Sequence, residues 1–346
     1  MTTRRSQLEP LRIVAIGGGT GLSSLLHGLK QYMRCDVNSS NPAANLDLTA
    51  VVTVTDDGGS SGRLRRDFAM MPPGDIRNCL VAMSEDEALL ARLFQYRFDH
   101  GKGLKGHSLG NLFLTALTDL TGDFAKAVQH ASEVLATCGR IFPSTSTNVV
   151  LQATLADGSK VEGETKISKS RARIERIRLK PGSVKPMQET LEAIANADLI
   201  TFGPGSLFTS IIPNLLVKGI PEAIEQSPAI KLCFMNLMWQ PGETIDFRAS
   251  DHVEAIQKHA GRQLIDAVAV STSPISILLK RQYAMQRALP VENDIERLQQ
   301  LGARVIARPF ASFGKKIRHD PAAIADVAIH LAGEGRRQRR RALKTK

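Results

Sequence analysis

Apolar positions in this chain follow two rhythms, short runs of strand length and longer stretches at helical spacing. Leu11 to Ile16 forms a near-continuous apolar run, as a parallel strand buried on both faces requires. Gly17, Gly18, Gly19, Thr20 and Gly21 follow, and then Leu22, Leu25, Leu26 and Leu29 recur at helical spacing. The pattern predicts a strand, a glycine turn and a helix. A second strand is predicted over Leu48 to Val54. The segment "GHSLGNLFLTALTDLTGDFAKAVQHASEVLAT" predicts two helices broken near Gly122. "VVLQATL" and "KVEGETKI" flank Asp157-Gly158, a hairpin signal, and "RIERIRLK" extends the same small sheet. The strand, glycine loop, helix order then returns in "ADLITFGPGSLFTSIIPNLL". Strands follow in "AIKLCFMNLM", "IDAVAVSTS" and "ARVIARPF", and a closing helix starts near Pro321.

This order predicts an α/β fold. It is a Rossmann-like open, mostly parallel sheet with helices on both faces and a small α+β insertion. The nucleotide-binding core is expected over 11–142 and 187–332, with an inserted β-hairpin subdomain at 143–186. Residues 333–346 read as a basic disordered tail.

Composition changes this picture little. The 346 residues are 42% hydrophobic and 23% charged, enough to bury a core. Aromatic residues make up 5%, which argues against an aromatic platform for nucleic acid. The net charge of +11 suggests a polyanion partner until it is located. Seven basic residues fall in the last eleven, Arg336 to Lys346, with no acid among them. Such a run reads as a solvated end, with weak attraction to anionic membrane or RNA as the alternative. No specific nucleic-acid partner is expected. Cys35, Cys79, Cys138 and Cys233 fit no metal or redox spacing and read as reduced thiols of a cytoplasmic protein. The N-terminus lacks a signal-peptide pattern, and no window has the roughly 18 apolar residues of a transmembrane span.

Chemistry concentrates where strands end. Gly18, Gly19, Thr20 and Gly21 let backbone N–H groups approach an anion at a helix N-terminus. A pyrophosphate or the sugar of a nucleotide suits them. The dinucleotide fingerprint is broken, since counting from Gly17 puts Leu22 at its last glycine, which disfavours an NAD-dependent dehydrogenase. Gly203, Pro204, Gly205 and Ser206 repeat the logic late in the chain. Two such loops at one sheet edge suit a ligand with two ends.

In "TVTDDGGSSGRLRRDF", Asp56 and Asp57 end the second strand. They could accept bonds from sugar hydroxyls, act as catalytic base, or, for Asp57, hold a divalent metal such as Mg against a pyrophosphate. Gly58 and the serines after it read as a flexible loop over 57–66, with Arg63 meeting phosphates. "GHSLGNLF" offers His107, Ser108 and Asn111, but no partner acid for a nucleophile.

"IVAIGGGTGLSSLLHGLK", "VTVTDDGGSSGRLRRDFAMMPPGDIRNCL", "GHSLGNLFLTAL", "TFGPGSLFTSIIPNLL" and "NLMWQPGETIDFRASDHVEAI" together resemble the gluconeogenesis factor (YvcK-like) family of bacteria. That family is similar in fold to 2-phospho-lactate transferase (CofD). The resemblance spans about Leu11 to His330, with Trp239 where a small polar residue is usual. It implies a cytoplasmic regulator of cell shape and wall synthesis on gluconeogenic carbon that binds a UDP-sugar, chiefly UDP-N-acetylglucosamine. Asn236, Tyr283 and Arg318 stand in segments that match the family. Tyr283 offers a ring for uracil and Arg318 a fork for a pyrophosphate. Wall-synthesis or signalling proteins are the partner class, and a homodimer is compatible. The enzyme alternative is a Mg-dependent transferase using a nucleotide-linked donor.

Overall fold

The computed structural model describes residues 9–33, 45–85, 88–314 and 316–344. Seven parallel strands form the central sheet, in the order β10-β9-β8-β7-β1-β2-β3. These are β1 (Leu11–Gly17), β2 (Leu46–Val52), β3 (Arg140–Pro143), β7 (Leu199–Phe202), β8 (Ile230–Phe234), β9 (Ala267–Ser271) and β10 (Arg304–Arg308). Burial follows position. All four residues of β7 are buried, while β10, at the edge, has none fully buried. Helices enclose the inner strands, so those strands must be apolar on both faces. The predicted Rossmann-like α/β architecture is the one observed.

From β1 the chain proceeds to β2 on one side, whereas from β7 it proceeds to β8 on the other. The order therefore reverses between β1 and β7. Loops leaving two neighbouring strands in opposite directions open a crevice at their carboxyl ends, where ligands bind in open α/β sheets.

Residues 150–180 form a separate antiparallel sheet of β4 (Val150–Leu155), β5 (Lys160–Glu162) and β6 (Ile174–Lys180). The second arm of the hairpin is shorter than its pattern predicts. Gly163, at φ 99°, ends it, and Glu164–Ile167 turns into a short helix. A third sheet pairs β11 (Ala311–Phe313) with β12 (Ile317–His319). Neither this pair nor β3 has enough alternation to announce itself in the sequence.

Helix α1 (Gly19–Lys30) buries Leu22, Leu25, Leu26 and Leu29. Helices α2 (Gly59–Phe68), α3 (Gly74–Met83), α4 (Ala88–Gln95) and α5 (Leu109–Thr121) follow. Ser108 caps α5 by accepting the Asn111 amide N–H. The stretch 57–66, read as a flexible loop, is instead mostly the first two turns of α2.

The basic C-terminal end is helical, not a disordered tail. The C-terminal helix runs unbroken from Pro321 to Lys344. Arg336 is buried, and its guanidinium donates to both Asp198 (2.5 Å from Nη2 to Oδ2) and the Glu9 carbonyl. Arg339 lies 3.4 Å from the other Asp198 oxygen. Asp198 also accepts the Arg12 amide N–H. Charge counting in sequence could not see that two of these arginines neutralise one fully buried carboxylate. Among the cysteines, Cys79 and Cys233 are buried free thiols, and burial pushes the Cys233 pKa up to about 12. Cys138 is disulfide-bonded, which departs from four reduced thiols. Cys35 lies outside the described residues. Among those residues no single helix is long and apolar enough to cross a membrane.

Replacing Arg336 with Ala leaves Asp198 in the core without its fork. The expected cost is about 3–5 kcal/mol, read as a lower urea midpoint. Unchanged stability would mean that the pair does not hold the helix to the sheet.

Candidate functional site

The glycine loops after β1 and β7 meet at the switch point. They are held to the sheet by backbone bonds, Thr53 N–H to the Gly17 carbonyl and Gly203 N–H to the Ile16 carbonyl, both 2.9 Å. Glycine is required where the loops touch. A Cβ on Gly21 would lie 2.5 Å from the Pro204 carbonyl oxygen, too close for any side chain. A Cβ on Gly18 would lie 2.6 Å from Asp75 Oδ2.

Between the loops lies a cleft of about 380 Å³. Its glycine end is lined by Gly18, Gly19, Thr20 and Gly21 facing Pro204, Gly205 and Ser206. Its other wall carries Asn236, Trp239, Gln240 and Tyr283, and Arg318 comes in from β12. The N-terminus of α1, which no side chain caps, therefore lines the cleft with the positive end of its dipole, an arrangement suited to an anion, while the Gly19 amide is taken by Asp75.

A chain of side-chain bonds shapes the wall opposite. Gln240 donates from Nε2 to Ser206 Oγ (2.7 Å) and accepts from Asn236 Nδ2 at Oε1 (3.1 Å). Trp239 gives its indole N–H to the Phe247 carbonyl (2.9 Å), which fixes its ring beside the cleft. The Tyr283 hydroxyl accepts the Ile317 amide N–H (2.7 Å), tying the β11–β12 hairpin over the cleft. His319 stacks on Phe310, and burial lowers its pKa to about 4. The neutral ring donates from Nε2 to the Met235 carbonyl (3.0 Å). Gln240 and His319 were not singled out from sequence. The signal for Gln240 was its place in "NLMWQPGET", and His319 had none beyond adjacency to Arg318.

Asp56, Asp57, Gly58, Arg63 and Asn111 do not line this cleft. They lie beyond the end of β2. Asp57 Oδ1 accepts the amide and hydroxyl of Thr165 (2.8 and 2.6 Å), which starts the short helix at 164–167. Asp56 Oδ1 accepts the Gly58 N–H (2.8 Å), a local turn. Arg63 donates to the Lys105 carbonyl (2.9 Å). Asn111 Nδ2 meets Ser61 Oγ, and its Oδ1 is buried without a partner. These contacts give Asp56 and Asp57 structural partners. Among the described residues no three acids, imidazoles or thiols are grouped to hold a metal.

The acid that does reach the glycine loop is Asp75, on α3. Burial and the neighbouring Asp56 push its pKa up to about 7, partly offset by the Gly19 amide. Glu164 and Glu243 are shifted the same way, chiefly by burial, to about 10 and about 7. Nothing in the local pattern of "PPGDIRN" marks Asp75 as more than a first-turn helix residue, since the contact joins α3 to α1.

An open sheet with two glycine loops closing on its switch point defines a Rossmann-like α/β protein with its cleft at the carboxyl edge. The family described as 2-phospho-L-lactate transferase CofD matches residues 13–311. The gluconeogenesis factor of Bacillus subtilis is 46% identical over 324 residues, covering 93% of this chain and 98% of that protein. The gluconeogenesis factor of Halalkalibacterium halodurans is also 46% identical, over 93% of this chain and 97% of its own length. A crystal structure of a Bacillus halodurans protein aligns with a TM-score of 0.87 at 45% identity, covering 93% of this chain and all of that one. This chain belongs to the CofD family, among its gluconeogenesis factors.

The raised Asp75 pKa has a definite consequence. Unfolded, the carboxyl ionises near pH 4; folded, it keeps its proton to about pH 7. Between these values the folded state holds more protons, so stability falls as pH rises. Asp75→Asn should flatten the pH 5 to 7 slope of the unfolding free energy, measured by urea denaturation, by up to roughly 1 kcal/mol per pH unit. Glu243 and Glu164, whose folded pKa values are also raised above this window's lower end, leave a residual slope of the same sign. An Asp75→Asn slope equal to wild type would contradict the shift.

Proposed function

We propose that this chain is a cytosolic nucleotide-sugar-binding regulator, with a ligand of the UDP-N-acetylglucosamine type, acting on cell shape and wall synthesis during gluconeogenic growth. One observation carries the binding part of this reading. Both glycine loops, Tyr283 and Arg318 line a single cleft at the switch point. The α1 amides and the Arg318 fork suit a pyrophosphate. The aromatic wall of Trp239 and Tyr283 suits a heterocyclic base. Membership among the gluconeogenesis factors supports the cellular part.

A transferase using a nucleotide-linked donor is the second reading, and the family's own description favours it. Its acid would come from Asp56 or Asp57, or from the buried Asp75 beside Asp56, all of which sit behind the glycine loop and not on the cleft lining. Recovery of unchanged UDP-N-acetylglucosamine after long incubation with protein and cell extract counts against turnover.

Titration calorimetry with UDP-N-acetylglucosamine should give saturable heat. Arg318→Ala removes a charged donor and should weaken binding about 10- to 100-fold. No heat from wild type at millimolar ligand would overturn the reading.

A further inference from the structure

The cleft continues past Arg318. A groove of about 450 Å³ runs between α1, α3 and α4, and it shares Thr20, Ser24 and Arg318 with the cleft. Its size falls within the range of about 300–1,000 Å³ usual for small-molecule sites. The two hollows therefore form one path around the first turn of α1, with Arg318 at the junction.

Arg318 is exposed, and no hydrogen bond or ion pair to it is seen among the described residues. Its nearest acid in sequence, Asp320, accepts the Ala323 N–H instead (2.9 Å). The guanidinium fork is thus available to an anion lying between the two hollows.

The groove itself has a different chemistry from the cleft. Ser23 and Ser24 donate their hydroxyls back to the Gly19 and Thr20 carbonyls (3.0 and 2.9 Å). The Ser24 oxygen keeps its lone pairs as acceptors, while the Ser23 hydroxyl also bonds the buried Cys79. Asn78 accepts from Arg77 at Oδ1 (2.6 Å), which leaves its amide N–H groups as donors. His27, Gln95, Lys30 and Glu85 add polar and charged groups to the lining, and Val81, Ala82 and Ala91 are its small apolar residues. Among the described residues no aromatic side chain lines it. Donors and acceptors beside small apolar residues suit a ring bearing several hydroxyls, each of which both donates and accepts.

We propose that this groove holds the sugar end of a nucleotide-linked ligand. The base lies against Trp239 and Tyr283, the pyrophosphate lies between the α1 N-terminus and Arg318, and the sugar extends along the outer face of α1. This assignment rests on the nucleotide-sugar reading and adds the direction in which the ligand lies. It also makes the groove the part of the molecule that distinguishes a nucleotide-sugar from the bare nucleotide.

The test compares UDP with UDP-N-acetylglucosamine by calorimetry on the full chain. Wild type should bind the sugar-bearing ligand at least tenfold more tightly. Ala91→Trp fills the groove away from the cleft, so UDP affinity should stay within twofold while the sugar advantage disappears. Gln95→Ala, on the exposed rim, should reduce the advantage severalfold, and it decides the matter if Ala91→Trp fails to fold. A full sugar advantage in both variants, with UDP binding intact, overturns the groove assignment and leaves the nucleotide reading standing. Failure of wild type to bind either ligand overturns both. An advantage reproduced by UDP with free N-acetylglucosamine overturns the claim that the sugar arrives joined to the nucleotide.

Discussion

Backbone meets backbone where Gly21 faces the Pro204 carbonyl, and the site's geometry depends on that approach. The loops leave neighbouring parallel strands, so their separation is set by the spacing of β1 and β7. Any side chain at Gly21 would push them apart. The cleft would then widen at the N-terminus of α1, and the Ser206–Gln240–Asn236 chain of bonds would lose its register. The sheet's reversal point supplies the opening, and glycine keeps its rim narrow.

The opposite end of the sheet is fastened by charge. Asp198 lies at the start of β7, fully buried, and gathers the Arg12 amide with Arg336 and Arg339 from the C-terminal helix. That helix packs along α1. The arrangement links the amino edge of the sheet to the helix whose other end forms the anion cradle. Fixing α1 from below limits how its first turn can move. A buried carboxylate is costly unless paired, so the basic helix cannot detach without exposing or stranding it.

Legibility in sequence depended on distance along the chain. The glycine loops could be read because strand, turn and helix are consecutive, and their chemistry is local. Ten of the residues named from sequence, from Gly18 to Arg318, line one cleft because the loops follow adjacent strands. Asp56 and Asp57 were drawn towards the ligand by the same reasoning, but Thr165, 108 residues away, takes Asp57 as a helix-starting acceptor. No local pattern carries that partner. Asp75 was missed for the complementary reason, since its first-turn position in α3 is unremarkable until Gly18 and Gly19 are brought against it.

The sequence by itself determined the run of parallel strands, the helix faces and the two glycine turns, because hydrophobic period and backbone permissiveness act over a few residues. Tertiary structure alone decided which carboxylates are structural, that the basic end is a helix with buried arginines, and that the cleft opens past Arg318 into a second hollow. Those outcomes depend on desolvation and pairing between groups far apart in the chain, and burial is a property of the packed whole.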